Sequence, residues 1–181
     1  MLECLEGYHG TSRTNADSIL ASRTFIVSGS YRDWLGRGVY FFEKDEHQAY
    51  MIAKYRNRLE DADVAVLCAD IDTEKERFID LLIDEDRKFI EEYARRLDKK
   101  IQQLKNEIGE WEHKEGYVLD YLYREQPYDV VRAVYETPSR KKASGSILSY
   151  LKVQIQICVK ETNCIKADSI AEVNCDAYRR L

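Results

Sequence analysis

The sequence lacks several features that would place it in a specialised class of protein. Its 181 residues carry a formal net charge of −5, so no overall positive field attracts nucleic acid or a membrane surface. No apolar run approaches the ~18 residues that span a bilayer. The first residues do not show the basic and then apolar pattern of a signal peptide. We therefore expect a cytosolic protein, in which any contact with a polyanion comes from a local patch.

Cysteine usage gives no sign of a disulfide framework or of a metal site. The chain has 5 cysteines, an odd number, and none of them forms a Cys-x-x-Cys pair. Cys68 and Cys158 lie inside apolar segments. Free thiols in a reducing compartment are the expectation that fits this pattern. The sequence also shows no cluster of metal-ligating residues, so we expect a protein without a metal.

The length and the apolar pattern predict a single α+β domain over residues 1–181. An apolar content of 44% with 34% charged residues is typical of a globular chain. Helical spacing of apolar residues appears over 15–22 and again after Glu43. Strands are predicted over 5–9, 24–28, 64–71, 128–136 and 148–159. Strands separated by helices early in the chain, and in succession later, favour packed sheets with flanking helices.

The segment 72–127 is read as a long helical insertion into this domain. Between Asp84 and Gly116, apolar residues recur at alternating steps of four and three, with charged residues between them. One interpretation is an amphipathic helix that lies on its own domain or forms a hairpin with the next segment. The other is a docking face for a second copy or a regulatory partner. The apolar positions are Ile90, Ala94, Leu97, Ile101, Leu104, Ile108 and Trp111.

Two short motifs near the N-terminus are the most informative part of the chain. The first is Tyr8-His9-Gly10-Thr11, and the second runs from Gly36 through Gly38 and Val39 to Tyr40 and Phe41. Each joins a strand-like apolar run to one polar side chain and to glycine. Glycine lets backbone approach a ligand closely, while the polar side chain is directed into a cleft.

Together these motifs resemble those of the ADP-ribosyltransferases, in the His-Tyr-Glu branch that includes the poly-ADP-ribose polymerases and the diphtheria-toxin-like enzymes. The spacing from His9 to the apolar pair Ile19-Leu20 is similar to that branch. Late in the chain, Gln156-Ile157-Cys158-Val159 stands where the branch has its glutamate strand. The resemblance covers roughly half of the chain and leaves out 72–127. It implies a split β-sandwich of two packed sheets and NAD as the substrate.

The resemblance also implies a role for residues of the first motif and the third. His9 would bind a ribose hydroxyl of NAD, and Thr11 would be a second ribose contact. Gly10 would offer its backbone N–H and C=O to the nicotinamide amide. Gln156 stands in place of the catalytic glutamate, and in an alternative register Gln154 is the residue in the cleft, because the two share a face of the strand.

For the second motif and the helix after it, the resemblance implies contacts to the nicotinamide ring. Tyr40 would stack on the ring, and Tyr50 or Met51 would close its other face. Gln48 stands where the family has a small hydroxyl that bonds the same amide. Arg32 and Arg37 are candidates for the NAD pyrophosphate or are plain surface residues. No metal is required, because the chemistry is departure of a cationic nicotinamide from an oxocarbenium-like ribose.

The substitution at Gln156 leaves three hypotheses open. Glutamine keeps the hydrogen-bonding capacity of glutamate without its charge. In the first the chain uses glutamine naturally, in the second it is a disabled form of a glutamate parent, and in the third it binds NAD without turning it over.

The implied function is mono-ADP-ribosyl transfer from NAD to a macromolecule, as in a bacterial toxin, a toxin-antitoxin pair or a phage-defence effector. The Arg140-Lys141-Lys142 cluster slightly favours RNA or DNA over protein as the acceptor. An antitoxin or a dimer partner could use the 90–111 helix. The alternatives are a non-catalytic NAD or ADP-ribose binding module and an NAD-dependent RNA 2′-phosphotransferase.

Overall fold

A seven-stranded sheet with helices packed on it forms the part of the chain that the computed structural model describes, residues 2–27, 33–56, 58–74, 77–108, 114–136 and 153–178. The mixed α+β class predicted from the sequence is confirmed. The strands are β1 Leu2–Ser12, β2 Val39–Glu43, β3 Val64–Glu74, β4 Phe78–Asp80, β5 Val130–Glu136, β6 Val153–Val159 and β7 Ala171–Glu172. The helices are α1 Arg13–Ser22, α2 Glu46–Arg56, α3 Asp84–Ile108 and α4 Lys114–Glu125.

The sheet narrows at its centre, between β1 and β2. Its strand order is β4-β5-β6-β2-β1-β3-β7, and every neighbouring pair is antiparallel except β4 with β5. β1 pairs with β3 along its whole length, from Leu2 to Ser12. With β2 it pairs only at Gly7↔Glu43 and Tyr8↔Phe42. Two well-paired halves are therefore joined by a short ladder.

The two faces of the sheet are covered by different helices. On the first face, His9 and Phe41 pack beside Phe25, and α1 places Ala16 in the same core. On the second face, Phe42 packs against Tyr50 of α2. Further along that face, Tyr40 and Cys158 pack against α4 through residues such as Leu119 and Leu122. The alternation of side chains along each strand produces this division.

Local capping explains where the first two helices begin. The Ser12 side chain accepts a hydrogen bond from Asn15 N at 3.3 Å, which satisfies one free donor at the start of α1. Arg23 ends α1 in the left-handed region, at φ 54°. At the start of α2, the Asp45 carboxylate accepts from Gln48 N at 2.9 Å. The helix predicted after Glu43 thus begins at Glu46.

The strand predicted over 24–28 is wrong for its described residues, because 24–27 have no regular structure. The apolar residues of this run serve a different purpose. Phe25 is buried between the rings of His9 and Phe41, across a face of the sheet rather than along an edge. Ile26 is 88% exposed. An apolar run can thus place one anchor in the core without joining the ladder.

The segment 72–127 contains α3 and α4, as the insertion hypothesis requires, and also the short strand β4, which pairs with β5. Leu97 and Val118 form a small core between the two helices, with Ala94 packed against it. This confirms the hairpin interpretation for the first half of α3. The side chains from 98 to 108 and Trp111 lie outside what the structure describes. None of the described helices is long and apolar enough to cross a membrane.

Candidate functional site

The opening between β1 and β2 exposes the backbone edge of Gly10. Lys44 N donates to Glu6 O at 3.2 Å, so the even-numbered residues of β1 direct their N–H and C=O groups toward β2. The paired register ends at Tyr8↔Phe42. Two residues further on, the backbone groups of Gly10 therefore face the gap instead of a ladder partner on β2.

A close contact with helix α2 requires glycine at position 10. A Cβ atom built on Gly10 would lie 1.9 Å from Ala49 O and 3.0 Å from Ala53 Cβ. This contact holds α2 directly beside the gap. Gly10 is therefore required for packing against α2. Only its backbone N–H and C=O remain for the ligand contact that the resemblance implies.

His9 bridges the gap through its ring. The Nδ1 atom lies 2.8 Å from the Tyr40 carbonyl oxygen. Because a carbonyl oxygen only accepts, Nδ1 carries the proton of the neutral ring and Nε2 is left as an acceptor. Desolvation lowers the pKa of His9, an effect that the hydrogen bond to Tyr40 partly opposes. The result is a neutral imidazole with a defined tautomer at neutral pH.

Tyr40 is held by its hydroxyl group. The hydroxyl donates to Gly36 O at 2.6 Å and accepts from Leu35 N at 2.9 Å. Burial raises its pKa far above the usual value, so the phenol stays protonated. Its side chain lies on the second face of the sheet, whereas that of His9 lies on the first. The two motifs therefore meet through the backbone of Tyr40.

The turn before β2 is fixed by a buried ion pair. Lys160 Nζ donates to Asp120 Oδ1 at 2.8 Å, to Leu35 O at 2.8 Å and to Arg37 O at 2.7 Å. Asp120 in turn accepts from Arg37 N at 2.9 Å. The Lys160 side chain is 2% exposed, so these bonds replace its hydration completely.

Gly36 gives the turn the conformation that these bonds need. Its φ of 76° lies in the left-handed region, and an added Cβ would be 2.3 Å from Asp120 Oδ1. Gly116, at the start of α4, approaches equally closely, since its Cβ would be 2.3 Å from Asp33 O. Gly36 thus gives the turn before Tyr40 its conformation, and Gly116 lets α4 pack closely against that turn.

Gln156 and Gln154 lie on the second face of the sheet, the face that carries Tyr40. Gln156 is 8% exposed and stands beside Phe42 in the register of β2 and β6. Gln154 is 3% exposed, and its Oε1 atom has no hydrogen-bond partner among the described residues. Beside it in the register, Tyr135 packs against Trp34 with 4.3 Å between ring centroids. The structure thus brings both glutamines to the face of Tyr40.

The other candidate residues divide between buried and half-buried positions. Thr11 is 6% exposed, and its hydroxyl accepts from Asn15 at 3.4 Å. Gln48 is half-buried in the first turn of α2. Tyr50 lies in the core and donates its hydroxyl to Asp61 Oδ1 at 2.5 Å. Its neighbour Met51 is half-buried.

A second group of mostly buried charged side chains lies on the first face, and no motif in the sequence indicates it. Arg132 makes a two-point ion pair with Asp80, with Nε 3.1 Å from Oδ1 and Nη2 2.5 Å from Oδ2. Its remaining Nη1 donates to Glu43 Oε1 at 3.0 Å. Glu43 Oε2 is buried and has no hydrogen-bond partner among the described residues. Like the Lys160 pair, this group joins residues far apart in sequence.

The cysteines and the remaining predicted residues lie as follows. All five cysteines are free, with Cys158 and Cys175 buried, and burial raises the pKa of Cys158 to about 11. The basic cluster 140–142 and Arg32 lie outside the described residues. Within the described residues, no group of three metal-ligating side chains is found.

Comparison with known proteins shows the family. The chain is 30% identical to the uncharacterized protein MJ0359 of Methanocaldococcus jannaschii, in an alignment that covers 88% of this chain and 83% of that protein. The chain belongs to the same family as MJ0359. No protein-family model matches the sequence. No solved structure matches it either.

Proposed function

We propose that the chain is an NAD-dependent mono-ADP-ribosyltransferase whose site lies at the gap between β1 and β2. The observation that carries this proposal is the backbone edge of Gly10, which faces the gap beside the neutral ring of His9. A backbone N–H and C=O on one strand edge match the complementary groups of a carboxamide. The proposal includes the split β-sandwich fold, which the short β1–β2 ladder supports.

The charge of the site suits a cationic leaving group. The neutral His9 ring offers Nε2 as an acceptor for a ribose hydroxyl, without adding positive charge. Tyr40, fixed at its hydroxyl, provides an aromatic ring that can stack on nicotinamide, with Met51 on α2 as the second wall. Departure of nicotinamide develops positive charge at the ribose, so the site needs preorganised acceptors rather than a metal.

Gln156 is the residue that decides between an enzyme and a binding module. It lies on the face of Tyr40 but has no charge with which to stabilise an oxocarbenium ion. This arrangement favours a second candidate, a module that binds NAD or ADP-ribose without cleaving it.

The acceptor would be a macromolecule, with RNA or DNA slightly favoured over protein. Free-standing transferases of the family that the sequence resembles act as bacterial toxins or in phage defence, and that is the biological role we propose. A toxin needs a neutralising partner, for which the 90–111 segment is a candidate.

Labelled NAD separates these functions. The protein is incubated with NAD labelled in its adenylate half, in separate reactions with protein, RNA, DNA and 2′-phosphorylated RNA, and nicotinamide release is measured in each. The proposal predicts transfer of label to one pool, with equal release of nicotinamide. Release that depends on 2′-phosphorylated RNA would identify the phosphotransferase instead. Saturable NAD binding with no release would identify the binding module.

A pair of tyrosine variants localises the activity. Tyr40→Leu removes the ring that the proposal places on nicotinamide, whereas Tyr55→Leu removes a 51% exposed ring on α2. We expect NAD binding to weaken at least tenfold in the first variant and to stay unchanged in the second, with circular dichroism to check folding. Equal binding in both would exclude the Tyr40 site.

A further inference from the structure

A second candidate site lies in a groove next to the turn that holds Tyr40. The groove has a volume of about 310 Å³ and lies between that turn, the C-terminal end of α4 and the residue that follows β6. Its lining residues are Val27, Arg37, Asp120, Tyr123, Arg124 and Lys160.

The groove carries local positive charge in an acidic protein. Lys160 and Asp120 neutralise one another in their buried ion pair. Arg37 and Arg124 are both exposed, and neither guanidinium has a hydrogen-bond or ion-pair partner among the residues that the structure describes. The residues that line the groove therefore have a formal charge of about +2, whereas the whole chain has −5.

Hydrogen bonds hold the backbone of Arg37 and the side chain of Tyr123 in the wall of the groove. Arg37 donates its backbone N–H to Asp120, and its carbonyl accepts from Lys160, so its backbone is held from two sides. Tyr123 donates its hydroxyl to Glu161, which raises the pKa of the tyrosine to about 12. Only the two arginine side chains must be ordered when a ligand binds, which limits the entropy cost.

We propose that this groove binds a phosphate group, gripped by the guanidinium groups of Arg37 and Arg124. Guanidinium presents a planar set of donors that matches phosphate oxygens, and such charge-assisted bonds are among the strongest in proteins. At about 310 Å³, the groove is at the lower end of the range for ligand sites. It therefore accommodates a phosphate with a small attached group rather than a whole dinucleotide.

The phosphate could come from two sources, the pyrophosphate of an NAD molecule seated at the neighbouring gap or a separate phosphate-bearing molecule. The backbone of Arg37 belongs to the turn that positions Tyr40, which places the groove beside the proposed NAD site. The phosphate site itself does not depend on NAD cleavage. It can be tested with a ligand that has no nicotinamide.

Titration calorimetry with inorganic pyrophosphate tests the site on the full chain. We expect saturable binding that weakens as salt is raised, because screening reduces attraction between exposed charges. Arg37→Gln and Arg124→Gln should each weaken binding about tenfold, as for loss of a hydrogen bond to a charged group. The control Arg95→Gln removes an equally exposed arginine from α3 and should bind as the wild type does. Absence of saturable binding, or equal weakening by the control, would overturn the proposal.

Titration of the same variants with NAD distinguishes the sources. A tenfold loss of NAD affinity in both groove variants, with none in the control, assigns the site to the cofactor pyrophosphate. Unchanged NAD affinity together with weaker pyrophosphate binding assigns it to a separate phosphate-bearing molecule. Because the pyrophosphate titration involves no NAD chemistry, its failure is distinguishable from failure of the proposed transferase function.

Discussion

The Nδ1 atom of His9 lies 2.8 Å from the carbonyl oxygen of Tyr40, and this hydrogen bond crosses the gap where the β1–β2 ladder has ended. It connects the two motifs that the sequence singled out. It also fixes which nitrogen of the ring carries the proton, so that Nε2 is the acceptor. The histidine thus has a structural role at the sheet and an atom left for a ligand.

The lowered pKa of His9 predicts a pH dependence of stability. In the unfolded chain the imidazole takes up a proton near its ordinary pKa of about 6.5, whereas the folded chain resists protonation. The folded chain therefore keeps the full contribution of the neutral His9 to its stability above that pH. It loses this contribution as pH falls toward the pKa that His9 has in the folded chain. One group can change the free energy of unfolding by at most about 1.4 kcal/mol per pH unit.

Urea unfolding between pH 7.5 and 5 measures this effect. We expect the wild type to lose stability more steeply over this range than His9→Gln does. His47→Gln, on the exposed side of α2, is the matched control and should keep the wild-type slope. If the stability of His9→Gln falls with pH as steeply as that of the wild type, His9 is not the titrating group.

The buried Lys160–Asp120 pair predicts that replacing the lysine alone lowers the free energy of unfolding more than replacing both residues does. Lys160→Met leaves a buried carboxylate and two carbonyl oxygens without their cation. Breaking a buried pair in this way costs about 3–5 kcal/mol. The double variant Lys160→Met/Asp120→Asn should recover part of that loss, because the buried negative charge has gone. Urea unfolding of both variants checks this, and a loss below about 1 kcal/mol in the single variant would contradict it.

The alternation and length of apolar runs were enough to predict most of the sheet. The runs at 64–71 and 128–136 contain residues of the strands β3 and β5, in which most of the apolar side chains are buried. The run at 24–28 has the same local pattern, but the sheet offers it no neighbour, and Phe25 inserts into the core instead. Local pattern cannot report which strand edges are already occupied.

The polar contacts of the site could not be predicted in this way. Arg37 and Asp120 are 83 positions apart, and their bond depends on how α4 packs against the turn. Motif resemblance identified Tyr40 and Gly36, but the hydrogen bonds that hold the Tyr40 hydroxyl are visible only in three dimensions. The same is true of Tyr50, whose hydroxyl donates to Asp61.

The contact between Gly10 and α2 predicts that no side chain is tolerated at position 10. An alanine Cβ would lie 1.9 Å from the Ala49 carbonyl oxygen, so α2 would have to move away from the sheet. We expect Gly10→Ala to destabilise the protein by about 3 kcal/mol, the upper part of the overpacking range. Ala53→Gly should not rescue it, because the main clash is with backbone. Rescue in thermal unfolding of the double variant would show that the Ala53 side chain is the obstacle.

Gln156→Glu tests whether the native glutamine works as it stands. An ionised glutamate only accepts hydrogen bonds, whereas glutamine also donates, and the position is 8% exposed. We expect nicotinamide release to fall about tenfold, the effect of one lost hydrogen bond of about 1.4 kcal/mol. Gln154→Glu, on the same face of β6, serves as the comparison and should affect release less. A rise in activity in Gln156→Glu would instead show that the chain lacks a glutamate it needs.

The charge group at Arg132 predicts opposite outcomes for substitution of Glu43 and for substitution of Arg132 itself. Asp80 already pairs with the guanidinium at two points, so Glu43 adds a second negative charge, and its Oε2 atom lacks a hydrogen-bond partner among the described residues. Glu43→Gln removes that excess charge and keeps an acceptor for Arg132. We expect it to change stability by less than about 0.5 kcal/mol or to stabilise the protein, whereas Arg132→Met should destabilise by about 3–5 kcal/mol. Urea unfolding at pH 7 compares them, and a loss above about 2 kcal/mol in Glu43→Gln would mean that the Glu43 charge itself stabilises the fold.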